Sequence, residues 1–152
     1  MTAQQEVEFR RFLLEVEPRL HRALVAGLGW ERGREATAEA LAYAWEHWSA
    51  VSRYDNPAGY LFRVGQSKVR RRKVRILFER PDHPDWQVEP ALARLLAELP
   101  ERQRLAVVLV HAYGWTPSEV ADLAGLSLST VQTHLSRGLK RLRASLEVID
   151  HA

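Results

Sequence analysis

The chain has no cysteine. That excludes disulfides and thiolate metal sites, and it fits a reducing compartment such as the cytoplasm. No apolar stretch approaches the roughly 18 residues that a membrane span needs. Met1 to Glu6 lacks the basic segment and apolar run of a signal peptide. No stretch alternates apolar and polar residues long enough for a strand, and no segment repeats. The most telling gap is in acids. None occurs between Asn56 and Phe78, and none between Ser127 and Leu146, although the net charge is only +3. Arg63, Lys68, Arg70, Arg71, Arg72, Lys73 and Arg75 crowd the first interval; Arg137, Lys140, Arg141 and Arg143 occupy the second. Two separated cationic blocks suit polyanion backbones better than an even spread would.

What is present reads as folded and all-α. Hydrophobic residues make up 46% and charged residues 27%, a globular balance. The 152 residues allow one domain or two small ones, each burying only roughly 60% of its unfolded surface. Val7, Phe12, Leu13, Val16, Leu20, Leu24 and Leu28 recur at helical spacing, with a break or kink expected at Pro18. Gly27, Gly29 and Gly33 predict a turn region around Trp30. A second helix is expected from about Arg34 to Trp48, with Leu41, Ala44, Trp45 and Trp48 as its apolar stripe. Ser52 to Pro57 is a loop by composition; Asn56 can cap the next helix and Pro57 fits its first turn. Pro81, Pro84 and Pro90 deny helix between Phe78 and Pro90. The expected division is therefore a helical domain over 1–78, a proline-rich linker over 79–90 and a second helical domain over 91–152.

The second domain has the spacing of a helix-turn-helix. A short helix over Ala91 to Leu99 leads into Leu99-Pro100-Glu101-Arg102-Gln103-Arg104 and the apolar Leu105 to Val110. Thr116 and Pro117 open a short helix that Gly125 closes. From Ser127 a longer helix carries Val131, Leu135, Leu139 and Leu142 toward a core. Gln132, Thr133, Ser136, Arg137, Lys140 and Arg141 face away. Gln, Thr and Ser are groups that read base edges in a major groove, and the cations that follow suit phosphates.

The string Leu99 to Gln103, Gly114 to Ala121 and Thr130 to Arg143 resembles region 4 of bacterial sigma-70-type factors, most of all the extracytoplasmic-function group. A response-regulator output domain shares the Ser129-Thr130-Val131 and Thr133-His134-Leu135 part of it. The sigma resemblance implies that this domain grips the minus-35 promoter element, through Ser129, Thr130, Gln132, Thr133, His134, Ser136, Arg137, Lys140 and Arg141. More faintly, Gly33 to Trp48, Asp55 to Val64 and the arginine cluster resemble sigma region 2. That implies a polymerase-binding helix presenting Glu35, Ala38, Glu39 and Ala42. It also implies minus-10 capture by Arg53, Tyr54, Asn56, Arg63, Ser67, Arg70, Arg71 and Arg72. The family usually has Gln at Ala38, Asn at Ser67 and often Asp at Glu35. The first two departures predict weaker polymerase contact and melting than a typical member's.

The region 2 reading also has a physical side. Opened DNA needs a cationic track and flat groups for bases to stack on. Arg70 to Arg75 are candidates for the first, with a solvated face as the alternative; Tyr54, Tyr60 and Phe62 are candidates for the second, with a core role for Tyr60 and Phe62 as the alternative. His21, His47, His83, His111, His134 and His151 show no zinc spacing, and Asp82-His83 with Asp85 reads as a polar linker. No phosphate loop, nucleophile elbow or glycine fingerprint appears. The expected protein is a non-enzymatic, cofactor-free, cytoplasmic sigma factor. Its expected partners are promoter DNA and core RNA polymerase, with no membrane. The family is often held inactive by an anti-sigma factor. Two other classes compete: a stand-alone DNA-binding regulator, and a helical interaction protein without DNA function.

Overall fold

The computed structural model describes residues 1–70 and 90–150. Every regular element among them is helical: α1 (Ala3–Leu28), α2 (Trp30–Glu46), α3 (Trp48–Val51), α4 (Pro57–Val69), α5 (Pro90–Glu98), α6 (Glu101–Val107), a π-helical turn (Val108–Ala112), α7 (Pro117–Ala124) and α8 (Leu128–Asp150). The expected linker over 79–90 lies outside the described residues except for Pro90, which opens α5.

A capping box starts α1: the Thr2 hydroxyl accepts from the Gln5 N–H while the Gln5 side chain accepts from the Thr2 N–H. The helix then runs 26 residues straight through Pro18, so the expected break is corrected. Pro18 removes the donor for the Leu14 carbonyl, but both residues are exposed, and water can serve that oxygen. Phe9 on one side of Pro18 and Leu20 and Leu24 on the other are buried, which holds both stretches to one line of packing.

The turn between α1 and α2 is also shorter than the glycines suggested. Gly29 alone, at φ +87°, reverses the chain, and α2 begins at Trp30, not Arg34. Gly33 serves close approach instead. A Cβ there would lie 2.4 Å from Val25 Cα. The inner face of α2 is Ala36, Thr37, Ala40 and Ala44, all buried; the Thr37 hydroxyl donates to the Gly33 carbonyl (2.7 Å). Gly65 of α4 fits against the Ala36 carbonyl in the same way. Small residues thus let α1, α2 and α4 pack tightly. The expected stripe is half right: Ala44 and Trp48 are buried, but Trp45 is 46% exposed. Phe9 and Phe12 meet the Trp48 ring at 5.2 and 5.0 Å, and Phe9 meets Trp45 at 5.1 Å.

The caps of α4 and α7 follow the sequence. Asn56 accepts from the Gly59 N–H with Pro57 in the first turn. Thr116 and Glu119 form a capping box, Pro117 follows, and Gly125 closes α7 in the left-handed region at φ +69°. Buried side chains of both halves join one apolar cluster, in which Leu20, Leu24 and Leu28 of α1 share the interior with Leu105, Val108 and Leu109.

Candidate nucleic-acid interface

The long helix α8 is built as a two-faced element. Val131 and Leu142 are buried, and Leu135 and Leu139 are half-buried against the cluster. Gly138 is the closest crossing with α6 and sets α8 directly on Val107 and Gln103. At the N-terminus the Ser127 Oγ accepts from the Thr130 N–H (3.1 Å). On the outer face Ser129, Gln132, Thr133, Ser136, Arg137, Lys140 and Arg141 are all exposed, as their spacing requires. The Thr133 hydroxyl donates to the Ser129 carbonyl (3.0 Å), which leaves its oxygen turned out as an acceptor. Thr130 and His134 are half-buried. Burial, with Arg102 and Arg137 nearby, holds the His134 imidazole below its usual range. This face combines short hydrogen-bonding groups at its start with cations farther along, and it carries no acid.

On α2, Ala38, Glu39 and Ala42 are exposed and Glu35 is half-buried, on one outer strip. Trp45 continues that strip, and an open cleft beside it is lined by Met1, Gln5, Trp45, Glu46, Trp48 and Ser49. The sequence reading of this strip stopped short of Trp45.

Arg53, Tyr54 and Asn56 lie in the turn before α4; Arg63, Ser67 and Arg70 are exposed along and just after that helix. Arg71 and Arg72 lie outside the described residues, as do Asp82, His83 and Asp85. Tyr54 is 39% exposed, and its ring meets Tyr60 at 4.6 Å. Tyr60 meets Tyr43 at 6.0 Å, and their hydroxyls are 3.2 Å apart. Tyr43 meets His47 at 4.2 Å. The Tyr60 hydrogen bond raises the Tyr43 phenol, and burial raises that of Tyr54, so both stay neutral. Phe62 is buried in the core, so it presents no face to solvent; Tyr54, backed by Tyr60, does.

Arg104 escaped the sequence reading. Only 1% exposed, it donates to the Leu99 carbonyl (2.6 Å) and to the Gly27 carbonyl at the end of α1. Burial lowers its guanidinium to about 10, partly opposed by Glu101, which still leaves it charged at neutral pH. The available signal was a charge standing at a core phase of the helix, one position before Leu105 and four before Val108.

Among the described residues no three His, Asp or Glu side chains gather as metal ligands, and no helix is long and apolar enough to cross a membrane.

Comparison with known proteins agrees with this geometry. Residues 90–142 match the family model of sigma-70, region 4. The chain is 35% identical over 89 residues to the ECF RNA polymerase sigma factor SigF of Caulobacter vibrioides, covering 53% of this chain and 50% of SigF. It is 40% identical over 77 residues to the ECF RNA polymerase sigma factor ShbA of Streptomyces griseus, covering 45% and 40%. The chain thus spans half or less of the length of the curated relatives it matches. In fold it is similar to the sigma factor RpoE in its complex with the anti-sigma factor NepR from Bartonella quintana. The TM-score is 0.66 at 19% identity, covering 93% of this chain and 98% of that one. It is also similar to CnrH in complex with the cytosolic domain of CnrY, with TM-score 0.60 at 22% identity over 94% and 90%. Residues 90–142 are thus similar to region 4 of sigma-70 factors, about half of the chain is similar to ECF RNA polymerase sigma factors, and the chain shares its fold with RpoE and CnrH.

Proposed function

We propose that the chain is a sigma factor that binds core RNA polymerase and directs it to promoter DNA. The observation that carries this is the outer face of α8, where Gln132, Thr133, Ser136, Arg137, Lys140 and Arg141 stand exposed on a helix whose other side is packed on α6. In this reading α8 enters the major groove of the minus-35 element, with Ser129, Thr130, Gln132, Thr133 and Arg137 nearest the bases. Lys140 and Arg141 neutralise phosphates. His134, half-buried, positions the helix more than it reads bases. The turn carrying Arg53, Tyr54 and Asn56 captures unpaired minus-10 bases, Tyr54 by stacking, while Arg63, Ser67, Arg70, Arg71 and Arg72 line the backbone track. The α2 strip of Glu35, Ala38, Glu39 and Ala42 meets polymerase. The protein performs no chemistry of its own, needs no cofactor and works in the cytoplasm. RpoE was solved with an anti-sigma factor, which supports placing an anti-sigma factor among this chain's partners.

Run-off transcription with bacterial core polymerase tests the reading, alongside a footprint on the same DNA without polymerase. Transcript from a promoter with two spaced elements is expected. Specific footprinting by the chain alone, with no transcript under any condition, would instead make it a stand-alone regulator.

A further inference from the structure

A run of aromatic rings leads from the turn before α4 to the end of α2. Tyr54, exposed in that turn, meets Tyr60 of α4 at 4.6 Å. Tyr60 meets Tyr43 of α2 at 6.0 Å, and their hydroxyls are 3.2 Å apart. The exposed His47 meets Tyr43 edge-on at 4.2 Å. Tyr43 is therefore held from both sides. Tyr43 and Tyr60 are only half-buried, so the hydroxyl pair is no core contact. Two phenols joined by one bond use one of their hydrogens. The other hydrogen, and lone pairs on both oxygens, remain for a further molecule. The Tyr60 hydrogen bond raises the Tyr43 phenol and burial raises that of Tyr54, so neither turns anionic against a polyanion. Arg53, exposed beside Tyr54, adds a cation for the strand's backbone.

We infer that these rings form one base-binding surface, in which an unpaired base rests its face on Tyr54 and turns its pairing edge to the Tyr60 and Tyr43 hydroxyls. The inference rests on the minus-10 role proposed for the turn. It adds Tyr43, a residue of α2 outside that turn, to the groups that touch the base. Every base carries a donor beside an acceptor on its pairing edge, and the remaining hydroxyl hydrogen and lone pairs match both. In duplex DNA that edge is taken by the complementary base. The surface therefore selects unpaired from paired strand and discriminates little among the four bases. His47 and Tyr60 fix the Tyr43 ring before any strand arrives, so binding has little left to order there.

Base-analogue scanning tests this, with the full chain, core polymerase and a promoter opened over its downstream element by mismatches. Each open position carries in turn thymine, 3-methylthymine, whose pairing edge is blocked, or an abasic site. At one position 3-methylthymine should bind about three- to tenfold more weakly than thymine, and the abasic site more weakly still. Tyr43→Phe and Tyr60→Phe keep both rings. Each should bind the thymine template about three- to tenfold more weakly than the wild type and no longer distinguish thymine from 3-methylthymine at that position. The abasic penalty, which stacking on Tyr54 sets, should remain in both. A hydroxyl pair that only braces α2 against α4 would instead weaken every template alike and leave the distinction intact. Equal binding of thymine and 3-methylthymine at every open position would overturn the inference, as would an undiminished distinction in either Phe variant. A wild type that forms no complex with polymerase on the opened promoter would overturn the sigma reading, and this inference with it; a wild type that forms the complex but ignores the blocked edge overturns the inference alone.

Discussion

Gly138 of α8 lies so close to Val107 of α6 that a Cβ on it would stand 2.8 Å from Val107 Cγ2. Helix α8 is therefore seated by a residue that contributes no side chain at all. Gly138→Ala should lower stability by up to about 2 kcal/mol, because overpacking of about 1–3 kcal/mol is offset only in part by the helix preference for Ala of about 1 kcal/mol. Val107→Ala in the same chain should recover part of that loss. Gly33→Ala should be worse than Gly138→Ala, since its Cβ meets the Val25 backbone at 2.4 Å, which cannot turn aside. Urea unfolding of the variants checks the order.

Thr133 and Arg137 should separate from Lys140 by what they lose. Thr133→Ala and Arg137→Ala should each cost about 1–3 kcal/mol on the cognate element and far less on random duplex. Lys140→Ala should weaken both alike and flatten the salt dependence. Binding titrations at several salt concentrations decide, and equal losses on both DNAs for all three would remove the base-reading role.

Replacing Arg104 by Met should destabilise the whole chain by about 3–5 kcal/mol, since the Gly27 and Leu99 carbonyls lose their buried partner. Arg104→Lys should not restore it, because one ammonium cannot span the Gly27 carbonyl of α1 and the Leu99 carbonyl between α5 and α6 as a planar guanidinium does. Chemical denaturation gives both numbers.

His134 predicts a pH dependence of known sign. Its folded-state pKa is depressed, by burial first and by Arg102 and Arg137 next. The unfolded imidazole, near about 6.5, then takes up a proton before the folded one. Stability is full above that value and declines as pH falls through it toward the folded value, below which the decline ends. His134→Gln should flatten this decline in melting temperature between neutral and mildly acid pH. An unchanged slope would place the pH sensitivity elsewhere.

Local signals carried much of this in the sequence. Thr116-Pro117, Asn56-Pro57 and Gly125 mark helix ends because capping is chemistry between near neighbours, and all three stand where expected. The period of Val131, Leu135, Leu139 and Leu142 oriented α8 correctly because one side of it is packed and the other is not. What the sequence hid depends on distant partners. Pro18 passes inside α1 because Phe9, Leu20 and Leu24 anchor the helix on either side of it. Gly33 looked like a turn residue, and only the approach of Val25 gives its reason. Trp45 has the phase of a core residue, yet it lies at the rim of the aromatic group where α1 does not cover it. Asn56 was read as a helix cap and a DNA residue; its bond to Asp122, 66 positions away, had no local mark.

The apolar interior runs unbroken from α1 into α6, so the contacts that hold the halves together also hold the fold together. Substitutions at that seam should therefore be felt in both halves, and thermal unfolding followed from either half should give one coincident transition.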